Sequence, residues 1–155
     1  MIPLLKQLIK NIFLFSVLAI LLNFIIGYSL NFFFETTISK QNDFKMDISN
    51  LLLYLFLAPL LETFFFQFLI IYQVFESVKN KYKTFVSVFL SALFFGLIHI
   101  YSTHYFIATI ILGVYFSVAY LYFLHRANHF FASIQVFFIH AFLNTFIFIV
   151  KFYFS

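Results

Sequence analysis

Cysteine is absent from all 155 residues, which removes disulfides, thiol nucleophiles and iron–sulfur clusters from consideration. Charge is scarce as well. Asp, Glu, Lys and Arg make up 9% of the chain, and the net +4 is scattered rather than massed on one stretch. Binding to nucleic acid needs a basic face, so no nucleic-acid partner is expected. Segments of about ten alternating residues, the signature of a membrane β-barrel, are also missing. There is no internal repeat and no linker. What remains is apolar: 65% hydrophobic residues, 29 of them Phe, with a mean hydropathy of +1.06. A soluble domain of this length cannot hide so much apolar surface. The chain reads as a single integral membrane domain over 1–155.

Cutting the sequence at its charged residues gives the spans. Asn11–Phe34 is uncharged over 24 residues, and Ile48–Phe75 runs for 28 with Glu62 as its only charge. Thr84–His125 has no Asp, Glu, Lys or Arg over 42 residues, and Ala127–Val150 adds 24. A bilayer core about 30 Å thick is crossed by about 20 helical residues. The 42-residue run therefore divides into two, with a turn expected at Tyr101–Tyr105. Backbone polar groups in lipid must be satisfied inside the segment, which selects helices. The expectation is an all-α polytopic membrane bundle of about five transmembrane helices. Glu35–Asp47 is its one polar loop. The run after Lys10 is too long for a signal-peptide core, so the first span is read as retained. Lys6, Lys10, Lys79, Lys81, Lys83 and Arg126 fall on one side, and Lys40, Lys45 and Lys151 on the other. This places the N-terminus in the cytoplasm.

A carboxylate at bilayer depth costs about 2.5 kcal/mol or more, which makes Glu62 a candidate functional residue. Counting from the inner ends of their spans, Glu62 lies 13 residues in (75 − 62), His99 15 (99 − 84) and His140 13 (140 − 127). At about 1.5 Å per residue the three reach one depth, roughly 20–23 Å from one face. Asn144 shares a helix face with His140, and Phe95 with His99. Pro59 precedes Glu62 by three residues, and Gly96 permits close helix approach beside His99. His104, His125 and His129 fall at span ends and read as solvated loop residues. The Phe64–Phe66 and Phe32–Phe34 runs read as lipid-facing or packing surface. Each membrane His also has a plain reading, as a hydrogen-bonding residue between helices.

Three segments resemble the CPBP family, the CAAX protease and bacteriocin-processing (Abi-type) membrane proteases. That family carries Glu-Glu-x-x-x-Arg, then Phe-x-x-x-His, then His-x-x-x-Asn or Asp. Here Glu62-Thr63-Phe64-Phe65-Phe66-Gln67 stands for the first, Phe95-Gly96-Leu97-Ile98-His99 for the second and His140-Ala141-Phe142-Leu143-Asn144 for the third. The resemblance covers about 55–151. It implies an intramembrane endopeptidase in which Glu62 is the general base, His99 orients the water, and His140 and Asn144 donate to the oxyanion. Thr63, Gln67 and Phe95 would support them. Thr63 replaces the second Glu and Gln67 the Arg, so a neutral hydrogen-bonded pair is expected where the family has an ion pair. The substrate implied is a peptide or membrane-associated protein, and the small chain points to a bacterial plasma membrane.

No cofactor is expected on the glutamate route. The alternative is zinc held by Glu62, His99 and His140 with water in the fourth position. Two other classes compete. One is a catalytically inactive bacteriocin-immunity or scaffold protein on the same fold. The other is a small proton-coupled transporter with Glu62 and the histidines as its relay.

Overall fold

The structure, a computed structural model, describes residues 2–34 and 48–154; the expected Glu35–Asp47 loop lies outside the described residues. The fold is an all-α membrane bundle of five rods. Helix α1 is Ile2–Phe34. The second rod, 48–77, is composite: α2 (Ile48–Leu52), a π-helical segment Leu53–Leu57, α3 (Ala58–Glu62), a second π-helical segment Thr63–Leu69, and α4 (Ile70–Ser77). Then come α5 (Lys83–Leu97), α6 (Thr103–Leu124) and α7 (His129–Phe154). Among the described residues four helices are long and apolar enough to cross a bilayer, while α5, at 15 residues, is shorter. The chain reverses over Ile98–Ser102, slightly before the expected position.

The composite rod owes its irregularity to Pro59. Proline has no N–H, and its ring crowds the carbonyl four residues back. Widened turns on either side absorb this, with Ala58 N–H closing on the Leu53 carbonyl. The widening also sets which face is buried. Pro59, Thr63, Gln67 and Ile71 are all buried at four-residue intervals. In an α-helix of about 3.6 residues per turn such a stripe drifts around the rod. The wider π turns cancel the drift, so one stripe faces the bundle throughout.

Close approach joins α5 to α6. A Cβ on Gly113 would stand 2.9 Å from the Ala92 Cα, and one on Gly96 would run into the Ile110 side chain. The Ser91 and Ser117 hydroxyls meet at 2.6 Å, and Ser117 donates to the Gly113 carbonyl at 2.7 Å. Small residues at such a crossing let backbones touch where no hydrophobic effect drives association. Helix α1 packs on α6 and α7. Its Ala19 and Ile26 are buried, Phe15 lies against Tyr122 and Phe123, and the Tyr115 hydroxyl donates to the Phe15 carbonyl. The core centres on Phe95, Phe116, Tyr120, Phe123, Ile139 and Leu143.

Two expectations about peripheral residues change. His129 is no solvated loop residue: Tyr120 Oη lies 2.7 Å from its Nδ1, and its ring packs on Tyr72 and Phe68. His104 is half-buried in the first turn of α6, whereas His125 is exposed. Both Phe64 and Phe65 face outward, but Phe66 packs edge-on against Phe95.

Candidate active site

Glu62 ends α3, and its side chain turns inward with 18% of its surface exposed. One carboxylate oxygen faces each imidazole: Oε1 is 3.9 Å from His99 Nε2, and Oε2 is 3.5 Å from His140 Nε2. Three separate rods thus bring Glu62, His99 and His140 together.

The hydrogen bonds behind the rings decide what each nitrogen offers. His99 stands just past the end of α5, where its N–H closes on the Gly96 carbonyl at 2.8 Å. Its Nδ1 lies 2.7 Å from the Phe95 carbonyl. A carbonyl only accepts, so Nδ1 carries the proton, and in the neutral ring Nε2 presents a lone pair to Glu62. Two acceptors 3.9 Å apart need a proton between them, on Glu62 itself or on a bridging water.

His140 is the opposite case. Its Nδ1 is buried with no hydrogen-bond partner, and its ring is stacked on Phe116 at 4.5 Å. The nitrogen with a polar neighbour is Nε2, so the proton belongs there and points at the carboxylate. Phe95 separates the two imidazoles, with ring centroids 4.8 Å from His99 and 5.8 Å from His140. One residue therefore spaces both rings with its side chain and fixes one of them with its carbonyl.

The other expected site residues are placed differently. Asn144 sits one turn beyond His140, and its amide donates to the Tyr54 main-chain carbonyl at 3.1 Å. It braces the first π-helical segment against α7. Thr63 and Gln67 are fully buried beneath Glu62, but the expected hydrogen-bonded pair is not formed. Thr63 Oγ1 and both Gln67 amide atoms have no partner among the described residues. Both stand where the resembled motif carries charged residues, and their side chains do not pair with each other.

Three tyrosines escaped sequence reasoning. Tyr105 and Tyr101 stack edge-on against His99 at 5.7 and 6.5 Å, and Tyr54 and Tyr105 both lie within electrostatic reach of Glu62. A signal for Tyr105 existed: a chain that reverses at His99 must return past the same imidazole. Tyr54, about two turns before Glu62, shares its side of the rod. Among the described residues no three His, Cys, Asp or Glu side chains are grouped as a metal-binding set.

Residues 44–146 match the family model described as type II CAAX prenyl endopeptidase Rce1-like. No curated protein and no solved structure matches the chain.

Proposed function

The chain belongs to the type II CAAX prenyl endopeptidase Rce1-like family of membrane proteins, and from that premise we propose that it hydrolyses a peptide bond within the membrane, using water activated by Glu62. The observation that carries this reading is the carboxylate facing two imidazoles from two other rods. Water between Glu62 and His99 gives one proton to Glu62 as its oxygen attacks the scissile carbonyl carbon. The carbonyl electrons move to oxygen. On collapse the C–N bond breaks, and the proton on Glu62 passes to the leaving amine. His140 Nε2–H, directed at Glu62 in the resting site, turns to the substrate oxygen as Glu62 takes up the water's proton. Donors held in a dry site are worth far more than the same donors in water.

The substrate is a peptide or membrane-associated protein. It enters from the α5–α6 turn, where exposed Tyr101 marks the open end. On the lysine and arginine count this end faces away from a cytoplasmic N-terminus, in a bacterial plasma membrane. The test is cleavage of a panel of internally quenched peptides, prenylated and unprenylated, by protein in liposomes. Glu62→Gln should reduce kcat at least a hundredfold, the order supplied by a positioned base.

A second reading has its own observation. The unpartnered Thr63 and Gln67 lie where the motif carries charges, as expected of an inactive immunity or scaffold protein. Full biological protection by the Glu62→Gln variant would favour that reading.

A further inference from the structure

Resting on the peptidase reading, we propose that Phe116, on α6 and outside all three motif segments, is a positioning residue for His140: its ring, stacked on the imidazole, holds the imidazole plane and so aims Nε2–H into the site.

His140 needs such a support. Behind His99 stands the Phe95 carbonyl, 2.7 Å from Nδ1, and that bond fixes the ring. Behind His140 there is none: its Nδ1 is buried without a partner among the described residues. The polar contact at Nε2, 3.5 Å from Glu62, holds one corner only. A ring held at one corner still twists about its side-chain bond, so packing must supply the rest.

Phe116 supplies it. Its ring centroid is 4.5 Å from that of His140, with the planes 28° apart. Phe95 meets the same imidazole at 5.8 Å and 67°, as an edge contact. Tilting would drive imidazole atoms into the Phe116 face, whereas gliding within the plane keeps the stack. The N–H can therefore pass from Glu62 to a substrate oxygen without leaving its plane. Phe116 is itself held fast. It is fully buried, with Phe95 edge-on at 6.0 Å. Three residues earlier, Gly113 brings α6 against the Ala92 main chain, and the next residue, Ser117, meets Ser91 at 2.6 Å. The α5–α6 contact thus sets the depth of the stack. Phe116 also carries no polar atom, so it gives Nδ1 nothing to bond, and the imidazole proton stays on Nε2.

The test compares wild type, Phe116→Leu, Phe116→Tyr and Glu62→Gln in liposomes with the quenched peptides. Nitrogen-15 NMR reads the ring nitrogens of His140, assigned by their absence from a His140→Gln variant. Wild type should show one protonated and one bare nitrogen, with the proton on Nε2. Phe116→Leu stays apolar but loses the flat face, and a tilted imidazole admits water to Nδ1. Its two nitrogen signals should draw together as tautomers mix. Its kcat should fall by roughly ten- to a hundredfold with KM unchanged, the scale of a misplaced group. Phe116→Tyr restores a flat ring and should recover most of both losses. A wild-type proton on Nδ1 overturns the proposal, whether or not either variant folds. A Phe116→Leu kcat within twofold of wild type, beside an inactive Glu62→Gln, overturns it and leaves the peptidase reading standing. A lower kcat with unchanged nitrogen signals, or a change confined to KM or thermal stability, assigns Phe116 to packing and equally overturns it. A wild type that cleaves no peptide of the panel overturns the peptidase reading, and this role with it.

Discussion

Asn144 and Tyr54 are 90 residues apart in sequence and joined by a single amide-to-carbonyl hydrogen bond of 3.1 Å. The bond links the last helix to a widened turn whose carbonyls are not all consumed by the helix itself. Asn144→Ala should lower stability by about 1 kcal/mol, the usual net worth of one such bond. The loss of activity should be smaller than that of Glu62→Gln. Thermal unfolding in detergent with parallel kcat measurements reads both, and an Asn144→Ala kcat as low as that of Glu62→Gln would return the residue to direct catalysis.

The two unpartnered residues beneath Glu62 give a coupled prediction. Thr63→Glu or Gln67→Arg alone places an unpaired charge in a fully buried position, costing roughly 3–5 kcal/mol. The double variant restores opposite charges on adjacent turns and should recover most of that loss. Gln67→Met removes two unsatisfied polar atoms at similar volume and should leave stability equal or higher. Urea or thermal midpoints for the four variants decide the matter; additive losses in the double variant would refute the coupling.

Helix approach is tested by glycine. Gly113→Ala must push against the Ala92 main chain, which cannot rotate away, and should destabilise by about 1–3 kcal/mol. Gly27→Ala meets nothing within 4 Å and should change stability by no more than about 0.5 kcal/mol. Equal effects at the two positions would show that the α5–α6 contact is looser than described.

The role of metal has a direct test. On the glutamate route, treatment with a strong chelator leaves peptide cleavage unchanged. Activity lost to the chelator and regained with zinc would instead assign Glu62, His99 and His140 as ligands.

The bundle was legible because lipid imposes one rule on backbone polar groups, and uninterrupted apolar runs display that rule directly. Glu62, His99 and His140 were legible for a related reason: helical rise converts residue number into depth, and the three counts agree. What the sequence hid depends on neighbours across the bundle. The π-helical turns around Pro59 follow from packing as well as from proline. The carbonyl that engages Asn144 belongs to a residue with no motif of its own. Tyr105 becomes visible only once the chain is known to fold back beside His99. His129 looked solvated because a span end says nothing about Tyr120 arriving from another helix.

The brevity of α5 has a mechanical consequence. Fifteen residues make about 22 Å of helix, roughly 8 Å less than the hydrocarbon thickness. A bilayer meeting so short a rod would have to thin locally around it. If the proposed hydrolysis holds, thinning at the Ile98–Ser102 end would bring the aqueous boundary closer to Glu62, and a thicker membrane would make it costlier.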